Sequence, residues 1–356
     1  MKYARFGIGI FGASILFAQV LPWLLVYRDA ESYDPAPASW PLPQKNDYRQ
    51  LMTCTKYKSD DDYIFHFAKK ILVGLFREQG IECSEEDVLR LPVPDFSNRD
   101  DVYVSGIVYI YAICGRIFAD QDKLDDAHDV CLKGLSIHRR LDHHVSLLCI
   151  DLGRIANYRG DMKNAEKYFK MAIMSACGHD TKVKYHIDSL DGSISVAEDI
   201  ALHCYQQIDT SSREFVVAAS ELALLYAQQG KSRRALPIYL AILKLIEDSS
   251  SDMKISPYVV DAEDEAKYRY YVSELLWDLG MRQDALDWAH QAYKDSAGCA
   301  MRTKSCEQVC KTAVLTKAKI LRKLGREEEA AKEEELSKQI VASESSSKKL
   351  PFGVTM

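Results

Sequence analysis

One spacing pattern recurs five times along this chain and restricts its fold more than any other feature. Between Ser146 and Ile173, small residues stand at fixed offsets: Gly153, Gly160, Ala165 and Ala172, with Leu152 and Phe169 among them. Each small residue has a physical reason. Gly153 and Ala165 fall where two antiparallel helices cross too closely for a larger side chain, and Gly160 ends the first helix in a left-handed turn. Asp161 is then placed to cap the second helix. The frame also fits Val108–Ser136 (Cys114, Gly115, Phe118, Ala127, Cys131, Gly134) and Val216–Leu243 (Leu222, Ala223, Tyr226, Gly230, Ala235, Tyr239). It fits again at Ala266–Tyr293 (Val272, Ser273, Gly280, Ala285, Ala289, Ala292) and at Lys311–Ser337 (Ala318, Leu321, Gly325, Ala330).

Five matches in one register predict an all-α chain of stacked helical hairpins, with a generic helical bundle as the competing reading. The units resemble the tetratricopeptide-repeat (TPR) consensus over residues 101–342, which implies a TPR helical-hairpin solenoid. The pivotal alanines, at 127, 165, 235, 285 and 330, are separated by more than the usual repeat of about 34 residues. The widest interval leaves room for a degenerate unit around Tyr185–Ile208 or for a helical insertion. Residues 249–258 and 295–304 read as enlarged loops. The last helix, REEEAAKEEELSK, is a solvated capping face with Glu328–Lys332 and Glu334–Lys338 one turn apart.

The N-terminal part reads differently. After a short basic leader, residues 1–5, the 22 residues Phe6–Tyr27 carry no charge and reach roughly 33 Å as a helix, enough for one N-terminal transmembrane helix. Lys2 and Arg5 against Arg28 lean toward an N-terminus on the positive side. A cleaved signal peptide competes, but Ala18 offers a poor cleavage site, with Leu16 before it and VLPWLLVY after it. Residues 28–59 read as a proline-rich linker, and residues 60–100 as an amphipathic helix (Tyr63, Phe67, Ile71, Leu75) and loop packing on the array. Residues 343–356 read as a disordered tail.

Composition narrows the function. The net charge is −6 and no concentrated basic face is visible, so nucleic acid is not an expected partner. The ten cysteines form no C-x-x-C pair; Cys306 and Cys310 lack a second pair, and Cys114, Cys131 and Cys149 fall at core positions. His138, Asp142, His143 and His144 form the best metal candidate, but their spacing does not put two imidazoles on one helical face. No nucleophile elbow, P-loop or dinucleotide turn occurs. The chain therefore reads as a binding protein, not an enzyme, with no cofactor, metal or small-molecule substrate; a hydrolase using His143 or His144 is the remaining enzyme reading.

The TPR resemblance implies that first helices line a groove for a protein partner. At the matching positions the aromatic and charged candidates are Arg116, Asp151, Arg154, Asn157, Tyr158, Tyr270, Tyr271 and Trp277. The carboxylate clamp of chaperone-tail binders is missing: Ala112 and Arg116 are followed by Asp151, and the next register gives Ile150 and Arg154. An anchor, a spacer and loosely spaced repeats together resemble mitochondrial inner-membrane TPR proteins, most of all the fungal adaptors of the i-AAA protease. The stretch IANYRGDMKNAEKYFKMAI is also similar to tetratricopeptide repeat protein 19, linked to respiratory complex III. The absence of any N-x-S/T sequon points away from the secretory lumen. These resemblances imply a single-pass inner-membrane adaptor in protein quality control, its C-terminal domain in the intermembrane space and an i-AAA-type protease complex as partner. A respiratory-complex assembly factor and an ER or outer-membrane TPR scaffold are the alternatives.

Overall fold

The computed structural model describes residues 36–56, 60–139, 141–176, 213–251, 262–297 and 304–340. The expected membrane span, the possible unit at 185–208 and the C-terminal tail lie outside the described residues. All regular structure among those described is helical, and the helices fall into two compact units divided after Arg140.

The first unit holds α1 (Leu42–Lys56), α2 (Asp61–Glu78), α3 (Asp101–Asp120) and α4 (Leu124–Ile137). Asp60 and Asp100 start α2 and α3 by accepting from the backbone N–H of Asp62 (3.1 Å) and Tyr103 (2.7 Å). α3 is long and apolar enough to cross a membrane by length and composition, but it is the core of this unit. α2 and α4 pack on it, and Tyr103, Val104, Ile107, Ile110, Tyr111 and Cys114 are all buried.

Part of the stretch read as a linker is folded onto this core. Residues 42–56 form α1 against α2, and Pro37 and Trp40 are buried over α3. Gly106 makes the room: a Cβ there would lie 2.7 Å from both Pro37 Cγ and Trp40 Cζ2. The Trp40 indole is 2% exposed, donates to the Tyr103 carbonyl at 3.3 Å, and meets Tyr48 edge-on with ring centroids 5.5 Å apart. Proline content suggested a spacer, but a tryptophan beside a helical glycine supplies far more burial than an extended segment forgoes.

The second unit contains α5 (His143–Tyr158), α6 (Met162–Ala176), α7 (Arg213–Gln228), α8 (Ser232–Ser251), α9 (Ala262–Asp278), α10 (Arg282–Ala297), α11 (Lys304–Lys323) and α12 (Glu327–Gln339). They form four helical hairpins, each second helix packing on the first helix of the next hairpin. α7 packs directly on both α5 and α6.

The spacing pattern has a direct structural cause. A Cβ on Gly153 would lie 2.5 Å from the Phe169 ring, and one on Gly115 would lie 2.3 Å from Cys131 Sγ. Ala165 and Ala127 are fully buried at the same crossings. Gly160, Gly230, Gly280 and Gly325 have φ between +68° and +82°, and the next N–H returns to a carbonyl five residues back, as Asp161 does to Ala156 at 2.9 Å. In the first hairpin Asp122 adopts this conformation instead, at φ 59°. Asp161 also caps α6 through the Asn164 N–H at 3.1 Å, and those hydrogen bonds hold its carboxyl below the ordinary range.

Two substitutions separate these contributions. Trp40→Ala should destabilise the first unit by about 3–5 kcal/mol, read as a lower midpoint of its denaturant transition. If residues 36–41 were only a spacer, that midpoint would not move. Gly153→Ala should cost the second unit about 1–3 kcal/mol by overpacking Phe169, despite the higher helix propensity of alanine. A stabilised unit in the same measurement would contradict the close approach.

Candidate partner-binding face

In the second unit, α5 lies beside α7 and α9 beside α11, so successive first helices present adjoining faces. The two pairs carry different chemistry. Between α5 and α7 the candidate residues form a polar seam. Arg154 donates to Glu221 Oε1 from Nε at 2.8 Å and from Nη2 at 2.6 Å, and its Nη1 stands 3.8 Å from the buried Asp151 carboxylate. Asn157 donates to Gln228 at 3.1 Å. The structure thus brings Asp151, Arg154 and Asn157 together with α7. Tyr158, at the end of α5, is 78% exposed.

On the reverse side, α6 joins α7 through Glu166, which accepts from Lys170 at 2.6 Å and from the Tyr226 hydroxyl at 3.0 Å. Burial pushes the Glu166 carboxyl up, but these hydrogen bonds outweigh it and hold the group below the ordinary carboxylate range.

Between α7 and α9 the chain uses tyrosines. Tyr239 of α8 donates to the Ser220 carbonyl at 3.2 Å, and its ring stands 5.9 Å from Tyr268 and 5.3 Å from Tyr271. Tyr270 and Tyr271 are half-buried neighbours with centroids 5.2 Å apart. Burial raises the Tyr271 phenol to about 12, helped by Tyr270 and Glu221, so it stays neutral at physiological pH.

The α9–α11 face combines rings and cations. Trp277 is half-buried, with Lys323 Nζ at 4.8 Å and the Arg282 guanidinium at 5.7 Å from its ring centroid. Lys267 stands 6.0 Å from the Tyr271 ring, and Lys319 lies 3.8 Å from Glu274. Arg116 belongs to α3 in the first unit, where it is half-buried. Glu221, Gln228, Lys319 and Lys323 were missed by the sequence reading. They occupy the same groove positions in the third and fifth repeat units, so extending the register would have found them. Arg282 stands at the start of a second helix, where no groove position points.

The remaining reactive groups are committed to structure. Asp142 caps α5 through the Val145 N–H at 3.1 Å, and His144 is buried, its ring 3.8 Å from that of His143. Burial pushes the Cys114 thiol up to about 12 and raises Cys149 further. Such thiols are poor nucleophiles at neutral pH. Among the described residues no three His, Cys, Asp or Glu side chains converge as a metal site.

No protein-family model and no curated protein matches the chain. Solved structures that match the chain include two described as nearly identical TPR-like repeats of a Podosopora anserina kinesin light chain. The first has a TM-score of 0.47 at 12% identity over 67% of this chain and 95% of that one. The second has a TM-score of 0.44 at 12% identity over 65% and 92%. BtubC (BKLC) from P. vanneervenii gives 0.47 at 14% identity over 79% of this chain and 90% of its own.

The Arg154–Glu221 bond should contribute modestly, because Arg154 is 40% exposed and screened by water. A double-mutant cycle with Arg154→Ala and Glu221→Ala should give a coupling of about 0.5–1 kcal/mol in thermal unfolding. A coupling near zero would make the seam a consequence of packing alone.

Proposed function

We propose that this chain is a non-enzymatic adaptor whose second-unit first-helix face holds a segment of a protein partner. The observation that carries this reading is the α9–α11 face. It keeps Tyr270, Tyr271 and Trp277 half-buried beside charged side chains, and large aromatics with adjoining charges are the groups that anchor protein interfaces. Tyr158 extends the same kind of surface at the other end of the unit.

The finer proposal joins this face to the apolar segment Phe6–Tyr27. Tethered by that segment to the mitochondrial inner membrane, with the helical units in the intermembrane space, the adaptor would deliver membrane-protein substrates to an i-AAA-type protease. Its support is the layout of anchor and loosely spaced repeats and the absence of sequons. A respiratory-complex assembly factor is the second reading, resting on the similarity of Ile155–Ile173 to a complex III-linked TPR protein.

Proximity labelling from the C-terminus, followed by purification in mild detergent, distinguishes these readings. The expected result is intermembrane-space labelling and co-purification of an ATP-dependent membrane protease, lost in a Tyr270→Ala/Trp277→Ala variant that melts like the wild type. Co-migration with complex III, with general protein turnover unchanged in cells lacking the chain, would move the assignment to assembly. Labelling in the ER lumen would overturn the mitochondrial proposal.

A further inference from the structure

Three cations at the α9–α11 end of the second unit rest on aromatic rings and make no ion pair among the described residues. They are Lys267 on Tyr271, and Arg282 and Lys323 on Trp277. Other cations at this end of the unit do pair. Lys317 reaches Glu333 at 2.7 Å, Arg322 reaches Glu334 at 2.7 Å, and Arg326 reaches Glu329 at 2.6 Å, all toward α12. α12 has carboxylates to spare, yet they neutralise only the side of α11 that faces it.

The positions form a strip. Lys267, Tyr271, Glu274 and Trp277 follow one stripe of α9, at helical intervals of four, three and three residues. Leu315, Lys319 and Lys323 follow a facing stripe of α11, with Leu315 48% exposed. Glu274 is engaged with Lys319, and Asp278 beyond it accepts from Ser232 at 3.4 Å. The strip is therefore net positive in a chain whose net charge is −6.

We propose that this α9–α11 strip receives an acidic, amphipathic segment of a protein partner. Its carboxylates would meet Lys267, Lys319, Lys323 and Arg282, and its apolar side chains would cover Trp277 and Tyr271. The inference rests on the adaptor reading above and specifies the chemistry of the partner. Lys267, Arg282 and Lys323 are exposed and already positioned by their rings, so a carboxylate meeting any of these three gains attraction without first breaking a salt bridge. The rings add flat apolar area at small entropic cost. Nucleic acid fits less well, because the cations are interrupted by rings and by Glu274 where a phosphate backbone would need an unbroken run.

The test uses the full chain in detergent and fluorescence anisotropy of short labelled peptides. One probe places Asp and Glu around Leu and Phe; a second replaces the acids with Asn and Gln; a third replaces them with Lys. The acidic peptide should bind at least about tenfold tighter than the amide version, and its affinity should fall as salt rises. Lys319→Glu/Lys323→Glu should lose about tenfold for the acidic peptide while retaining the wild-type melting curve. Equal binding of the amide peptide, indifference to the double charge reversal, or stronger binding of single-stranded RNA or phosphatidylserine vesicles would overturn the inference. If peptides bind regardless of charge but lose affinity in Tyr270→Ala/Trp277→Ala, the adaptor face stands and only its acidic preference falls. If no peptide of any charge binds, both fall.

Discussion

The structure depends on how closely two helices approach inside each hairpin. At Gly153 against Phe169, and at Gly115 against Cys131, the space left is too small even for a methyl group. Contacts this short give dense packing from few residues and fix the angle at which each hairpin offers its outer face to the next. Later hairpins solve the problem by redistributing volume. Where the facing position shrinks to Ala289, the glycine position enlarges to Ser273, and both are buried. Where it grows to Tyr239, the buried hydroxyl bonds the Ser220 carbonyl and the ring packs against Tyr271 of α9. Repeat geometry is thus preserved by paired volumes and not by any single residue type.

That redistribution divides the candidate face. With Tyr239 and Tyr268 occupying the junction between α7 and α9, the polar seam on α5–α7 is separated from the aromatic strip on α9–α11. In the seam, guanidinium, carboxylate and amide groups satisfy one another across neighbouring helices. In the strip, rings hold Arg282 and Lys323, which no carboxylate neutralises among the described residues. The first arrangement consolidates the stack, whereas the second keeps charge available at an exposed surface.

Much of the hairpin architecture was legible in the sequence, because glycine at a left-handed turn and small residues at a crossing have few substitutes. The first hairpin hid its turn, since Asp122 serves where glycine stands elsewhere. The folding of Pro37 and Trp40 onto α3 was not legible. Proline content marks local stiffness, and nothing local reveals that Gly106, far along the chain, opens a place for them. The helical positions of the candidate residues follow from the register, but their contacts do not. Position along a helix says that Arg154 and Trp277 face the same side, but only the neighbouring helix decides that one is paired and the other stacked.

The burial of α3 also bears on how the chain is made. A segment of twenty residues this apolar satisfies the length and composition by which a membrane-insertion machine recognises a span, and it would do so while exposed. Its shelter is encoded in order of synthesis. Trp40, α1 and α2 leave the ribosome before it, and α4 follows after three residues. α3 therefore leaves the ribosome after the N-terminal residues that bury it have already been made.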